Sequence, residues 1–198
     1  MIAILDYGSG NLHSASRAFA QAHSDIRITA DPRIISDADG VVVPGVGAFG
    51  SCMEQFKSAG VEDALRARLD AGRAIFGICV GMQIFFEQGS EKDGGAGLGI
   101  WPGSVDLLEA PILPHMGWNT ISAGENSRLF AGVENSSFYF VHSYAAHVAV
   151  PGAINTWGNY GGQFLAAVEK DNLVTTQFHP EKSGNAGAHV IKNWVATL

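Results

Sequence analysis

The stretch Arg73-Ala74-Ile75-Phe76-Gly77-Ile78-Cys79-Val80-Gly81-Met82-Gln83 decides the fold. Arg73 to Ile78 reads as a short buried strand. It runs into a glycine-flanked turn, and Met82 to Gln88 reads as the following helix. Upstream the same alternation recurs. Ile2 to Asp6 is an apolar run ending in Asp6-Tyr7-Gly8-Ser9-Gly10-Asn11, and Asn11 is placed to cap a helix in which Leu12, Ala15 and Phe19 share a face. Ile26 to Ala30 is a second strand. Asp31-Pro32 then opens a helix with proline at its first position. Gly40 to Val43 is a third strand, stopped by Pro44-Gly45, and Glu54 to Leu69 is helical in two pieces broken near Gly60, with Gly72 ending the second. Strands alternating with helices predict a parallel sheet with helices on both faces.

After Gly89 the pattern changes. Glu91 to Gly99 is a glycine-rich loop. Val105–Leu108, Phe138–Tyr144, Ile154–Trp157, Phe164–Glu169 and Leu173–Phe178 are strand-like and separated by turns. Asn185 to Leu198 closes the chain as a helix with Val190, Ile191, Trp194 and Leu198 on one face. No linker or repeat interrupts the sequence. The expectation is one α/β domain over residues 1–198, with an antiparallel section in its C-terminal half.

Composition narrows the function. Of the 198 residues, 46% are hydrophobic, which excludes global disorder. Glycine is abundant, at 25 residues, but shows no three-residue period. Twelve basic against 19 acidic residues give a formal charge of −7, which disfavours nucleic acid. No apolar run reaches the length of a membrane span. The first six residues lack a basic region and reach Asp6 early, unlike a signal peptide, and Cys52 and Cys79 make no disulfide framework. A cytoplasmic protein is expected. Only 16% of residues are charged, as on a surface partly covered by another chain.

Gly77-Ile78-Cys79-Val80-Gly81 has the G-x-nucleophile-x-G pattern of a strand-to-helix elbow, with cysteine as the nucleophile. Such a turn is sharp and strained. Side chains at Gly77 or Gly81 would collide with backbone. The turn projects the thiol into a cleft at the carboxyl edge of the sheet, and the start of the next helix favours thiolate. The Val80 N–H is then free for an oxyanion. A buried, inert cysteine is the competing reading, and it is the one preferred for Cys52.

Gln177-Phe178-His179-Pro180-Glu181-Lys182 follows the last strand. Pro180 keeps His179 extended. Residues two apart in an extended segment share a side, so His179 and Glu181 can converge. A carboxylate on one imidazole nitrogen leaves the other to face the thiol. A structural histidine competes with this. A metal site drawn from His142, His147, His179 and Glu181 ranks last, because no ligand spacing supports it. Pro44-Gly45-Val46-Gly47-Ala48-Phe49-Gly50 should lie at the same sheet edge; a plain glycine turn and a phosphate cradle compete there with an oxyanion role.

Together these motifs resemble the class I (triad) glutamine amidotransferases over nearly the whole chain. Within that class they resemble a subfamily of glutaminase subunits of histidine biosynthesis. The subfamily marks are Asp6–Leu12, Pro44–Gly50 and Pro114-His115-Met116-Gly117-Trp118-Asn119, and Tyr139-Phe140-Val141-His142-Ser143-Tyr144 adds to the resemblance. The resemblance implies a flavodoxin-like α/β core and glutamine hydrolysis by Cys79, His179 and Glu181 through a thioester. It implies oxyanion donors at Val46 and Val80 and glutamine contacts at Gly47, Gln83, Ser143 and Tyr144. It further implies a heterodimer with a (β/α)8-barrel cyclase that receives the ammonia. Asn11, Pro114, His115, Met116, Trp118, Tyr139 and Lys182 would lie at or near that partner. No cofactor or metal is implied. A misdirected Val46 peptide in the free subunit would leave the oxyanion hole incomplete until the partner acts. Other readings stay open: a different ammonia-using synthase, or a free-standing cysteine hydrolase of the same fold.

Overall fold

The computed structural model describes residues 1–92 and 94–198; Asp93, in the predicted 91–99 loop, lies outside the described residues. Among the described residues, thirteen strands form two sheets. They are β1 (Ile2–Leu5), β2 (Ile26–Thr29), β3 (Gly40–Gly45), β4 (Ala74–Cys79), β5 (Phe86–Gly89), β6 (Gly95–Ala96), β7 (Trp101–Leu107), β8 (His115–Ser122), β9 (Ser137–His142), β10 (Tyr144–Ala146), β11 (Ile154–Asn159), β12 (Gln163–Lys170) and β13 (Leu173–Thr176). The helices are α1 (Leu12–Phe19), α2 (Pro32–Asp37), α3 (Phe49–Ser58), α4 (Glu62–Asp70), α5 (Val80–Gln83) and α6 (Gly184–Val195).

The large sheet runs β2-β1-β3-β4-β13-β12-β11-β8-β9. Its pairings are parallel from β2 to β13 and antiparallel from there on. The central strands β1 and β3 are buried at every residue, as a sheet covered on both faces requires. In β4 the two faces can be read from neighbouring residues. The Phe76 ring packs on Phe19 of α1 and Trp194 of α6, with centroids 5.9 and 5.4 Å away. The next residue, Gly77, faces the other way, where a Cβ would meet the Phe85 ring at 3.0 Å. The smaller sheet, β10-β7-β5-β6, is placed by the segment after the elbow.

Local chemistry sets most boundaries. The Asn11 side chain accepts from the Ser14 N–H and Asp31 from the Arg33 N–H, so α1 and α2 begin where capping residues satisfy free donors. Four expectations need correction. Pro44 does not stop β3. The ladder with β1 ends at Val42, so no strand needs the missing N–H, and pairing with β4 continues to Gly45. The helix expected over Met82 to Gln88 ends after one turn. Residues 80–86 are buried throughout and offer no helical face, and Phe86 instead pairs with Trp101 in β5. The strand expected over Phe138–Tyr144 is divided at Ser143, with the two parts joining different sheets. The last helix ends at Val195, so Leu198 lies beyond it and is exposed.

One buried charge ties this half of the fold together. Arg68 of α4 is 1% exposed and donates to the carbonyls of Ile35, Ser36, Ala38, Asp39 and Ala74. These are carbonyls at the end of α2, in the turn into β3 and at the start of β4. Burial lowers its pKa to about 10, so the guanidinium remains charged at neutral pH. Arg68→Met should lose about 3 kcal/mol or more of stability, because several buried acceptors lose their donor at once. Urea unfolding of the variant against the wild type measures this.

Candidate active site

The sheet register builds the site. β4 lies between β3 and β13, and all three deliver their carboxyl ends to one edge. Cys79 ends β4 with φ 56° and ψ −115°, a conformation that side chains rarely adopt. Close backbone approach holds it there. A Cβ on Gly81 would lie 1.9 Å from the Val43 carbonyl oxygen, and one on Gly77 would lie 2.6 Å from the Gly81 oxygen. The strain argued from the G-x-C-x-G spacing is therefore present. Val80 is the first residue of α5, so its N–H has no acceptor within the helix.

Cys79 opens into a cleft of about 340 Å³ lined by Val46, Gly47, Val80, Gln83, Glu91, Pro114, Val141, His142, Ser143, Tyr144, His179 and Lys182. Residues far apart in the chain thus share one cavity, and every expected glutamine contact borders it. His179 is 3% exposed, and its Nδ1 lies 2.7 Å from Glu181 Oε1. The convergence is real, but its geometry is not that of an extended segment. His179 alone is extended, and Pro180–Lys182 forms a 3-10 turn that swings Glu181 back onto the ring. Proline's fixed φ suits the first position of such a turn. Burial works against charge on the ring most strongly. The Cys79 thiolate, hydrogen bonds to Cys79 and Glu181, and the Glu181 charge outweigh it and raise the His179 pKa to about 10. The proton therefore rests on the imidazole beside the Cys79 sulfur.

The Val46 N–H is not free. It donates to Ser9 Oγ at 3.1 Å, and the Ser9 hydroxyl donates to the Val46 carbonyl at 3.0 Å. One side chain from the opening turn thus pins the peptides on both sides of Val46. The position of Val46 at the cleft is as expected, while the orientation of its N–H is set by Ser9. The opening motif contained Ser9 without suggesting this role, since serine in a glycine turn is ordinary. Beneath the cleft Tyr7 bonds Cys52, and burial raises the pKa of both, so Cys52 sits as a packed structural thiol.

The second wall is a chain of histidines. A carbonyl can only accept, so the His142 Nδ1–H donates to the Tyr144 oxygen at 3.0 Å. His142 Nε2 is then the acceptor for His115 Nδ1–H at 3.0 Å, and His115 Nε2 accepts from Asn119 at 3.3 Å. His115 is stacked between Phe140 and Tyr160, with centroids 4.9 and 4.1 Å away. Its expected place at the partner face is therefore corrected: it is 3% exposed and turned inward, because alternation along β8 sends Met116 outward instead. His147 bonds the Gln163 carbonyl and does not join this chain. Burial lowers the pKa of His142 to about 3 and of His115 to about 4.

Both folded values lie below the unfolded one. The stability linked to their neutral form is fully present above about pH 6.5, falls away as pH drops below it, and is lost completely once pH has passed through the folded values near 4 and 3. NMR of the ring resonances should show both histidines neutral at pH 5.

The remaining expected contacts are spread around the mouth. Met116 and Trp118 are 62% and 59% exposed. Trp118 packs edge-on against Tyr139, Lys182 is exposed at the rim, and Asn11 is spent on capping α1. Glu91, which no motif singled out, borders the cleft and accepts from the Phe49 N–H at the start of α3. Gln177 also escaped notice. It is fully buried one register step beyond the Thr176–Ile78 pair, beside Cys79.

The family described as "Glutamine amidotransferase class-I" matches residues 3–198. Curated relatives include "Imidazole glycerol phosphate synthase subunit HisH" of Nocardia farcinica, 53% identical over all of this chain and 98% of the relative. The protein of that name from Streptomyces coelicolor is 50% identical over all of this chain and 93% of its own length. Among solved structures, "Crystal structure of glutamine amidotransferase" matches with a TM-score of 0.77 at 16% identity, covering 98% of both chains. "Structure of PurLQS from Thermotoga maritima" matches with a TM-score of 0.70 at 17% identity, over 99% of this chain and 97% of that one.

Proposed function

The chain belongs to the class I glutamine amidotransferases, and from that membership we propose that it is the glutaminase subunit of an imidazole glycerol phosphate synthase. It hydrolyses L-glutamine to glutamate and ammonia. The ammonia serves a partner subunit that makes imidazole glycerol phosphate and aminoimidazole carboxamide ribotide in histidine biosynthesis. The observation that carries the chemistry is the strained Cys79 turn facing a buried, charged His179 held by Glu181.

The steps follow from that geometry. The Cys79 thiolate attacks the side-chain amide carbon of glutamine. Charge grows on the amide oxygen, which the Val80 N–H and, once released, the Val46 N–H stabilise. His179 gives its proton to the departing ammonia, leaving a γ-glutamyl thioester. A water, which gives a proton to the now neutral His179 as it attacks the thioester carbon, releases glutamate and restores the thiolate–imidazolium pair. Glu181 orients the ring and supports its charge. Gly47, Gln83, Ser143 and Tyr144 hold the glutamine. The Gln83 NH₂ group is spent on the Tyr144 carbonyl and on Gln177 Oε1, which leaves its own oxygen to accept from the substrate.

The partner is a cyclase with a (β/α)8 barrel, the two forming a cytoplasmic heterodimer in which residues 1–198 act as one glutaminase domain. An uncharged exposed strip supports this docking. Pro111, Ile112, Leu113, Pro114, Met116 and Trp118 are all exposed beside the cleft, with no Asp, Glu, Lys or Arg between Ala110 and Gly124. No helix among the described residues is long and apolar enough to cross a membrane. The test is glutamate release with and without a cyclase subunit and its ribulosyl ligand. Stimulation by the liganded barrel is expected. Absence of stimulation would overturn this assignment, and full turnover by the lone chain would favour a free-standing hydrolase.

A further inference from the structure

We propose that the Gln177 side-chain amide is a further catalytic group, whose Nε2–H donates to the Cys79 sulfur and stabilises the attacking thiolate. The contact is 3.7 Å, within reach of an N–H···S hydrogen bond. Its direction is fixed by elimination. Gln83 Nε2 lies 2.9 Å from the Tyr144 carbonyl oxygen, so that end of Gln83 is its NH₂ group. The same NH₂ lies 3.0 Å from the Gln177 side chain, so the Gln177 atom facing it is the oxygen. The opposite end of Gln177, its NH₂, therefore faces the sulfur. The Gln177 backbone N–H is anchored on the Ala166 carbonyl at 2.8 Å, so the side chain is aimed from a fixed strand.

The arrangement separates two tasks. His179 carries the proton, and as imidazolium it attracts the thiolate. That attraction weakens once the proton has gone to ammonia. A neutral amide keeps its N–H through every step, so Gln177 offers the sulfur a constant donor both as nucleophile and as leaving group from the tetrahedral intermediate. The same chain of bonds runs on from Gln83 to the Tyr144 carbonyl, His142, His115 and Asn119 on β8. The orientation of Gln177 is thereby tied to the strand that carries Met116 and Trp118. Titratable groups facing the thiol are His179 with Glu181 behind it, His142 and Tyr144 along the wall, Tyr7 and Cys52 beneath, and Glu91 and Lys182 at the mouth.

The proposal rests on Cys79 being the nucleophile, and its test does not use glutamine. The rate of Cys79 alkylation by iodoacetamide, followed by peptide mass spectrometry, is measured against pH in the full chain. In Gln177→Met, of similar shape but without a donor, the inflection should move up by about one pH unit. In Gln177→Glu it should move further, since a carboxylate repels the thiolate. A purely structural Gln177 would lower thermal stability in both variants and leave their profiles superimposed on the wild type, which would overturn the proposal.

A second measurement needs no Gln177 variant. The Gln177 side-chain NH₂ resonance should shift with the Cys79 titration in the wild type and stay constant in Cys79→Ala. A constant resonance in the wild type overturns the proposal. A wild-type Cys79 that iodoacetamide fails to alkylate at any pH overturns both this role and Cys79 as nucleophile.

Discussion

Cys79→Ala should abolish glutamate release from glutamine, by at least about 10⁴-fold, while leaving ammonia-dependent synthesis by the assembled complex close to the wild-type rate. The size follows from the chemistry. Without sulfur there is no thioester, and water must attack an unactivated amide directly. His179 and the oxyanion donors remain but have no nucleophile to serve. The sparing of ammonia-dependent synthesis follows from the division of labour, since external ammonia bypasses this chain. Alanine fits the site. It removes one atom and keeps a Cβ, so the positive φ at Cys79 is no more strained than before. Glutamate release and product formation, assayed side by side, check both halves. Loss of both activities would mean that Cys79 holds the fold or the interface rather than performing the chemistry.

Ser9→Ala should raise glutamine turnover by the chain without its partner, by about tenfold or more, with little change in KM. In the free chain the Ser9 hydroxyl occupies the Val46 N–H and also grips the Val46 carbonyl. An oxyanion donor of this kind is worth about 10² to 10³ in rate, which sets the ceiling for the gain. The gain belongs in kcat because the donor meets charge that exists only in the transition state. The same reasoning gives the partner a target. On the proposed mechanism, a change that frees the Val46 N–H from Ser9 and lets it turn into the cleft completes the hole, and Ser9 is two residues from Asn11, which is proposed to face the cyclase. Partner stimulation should therefore shrink in Ser9→Ala by about the factor that the basal rate gains. Initial rates over a range of glutamine concentrations, with and without the liganded cyclase, measure both numbers. A basal rate equal to that of the wild type would show that Ser9 does not restrain Val46.

How legible the protein was in its sequence depended on the distance over which each feature is decided. The elbow was legible because Gly77, Cys79 and Gly81 sit within five residues, and the collisions that demand glycine there are between neighbouring segments of backbone. Asn11 and Asp31 were legible because a cap acts on N–H groups two or three residues away. His179 and Glu181 were legible as a pair, although the 3-10 turn that joins them was not, because proline is compatible with both an extended chain and a helical turn. The second half of Met82–Gln88 misled because unbroken burial erases the periodicity by which helix and strand are told apart. β8 gave no signal of its own, since its motif mixes glycine, proline, aromatic and polar residues and becomes a strand by pairing with β9 and β11.

The sequence by itself determined the alternating strands and helices, the strained cysteine turn and the histidine–carboxylate pair, and it pointed to the class of chemistry. Each of these is written in residues a few positions apart, where sterics and capping act. The tertiary structure alone decided how the donors of the site are spent. Ser9 reaches Val46 across 37 positions and Gln177 reaches Cys79 across 98. His115 turns inward to His142 because the β8–β9 register sets them opposite each other. A hydrogen bond has a direction and one proton to give, so its partner is chosen by whichever acceptor the folded sheet brings within about 3 Å. No local pattern records that choice.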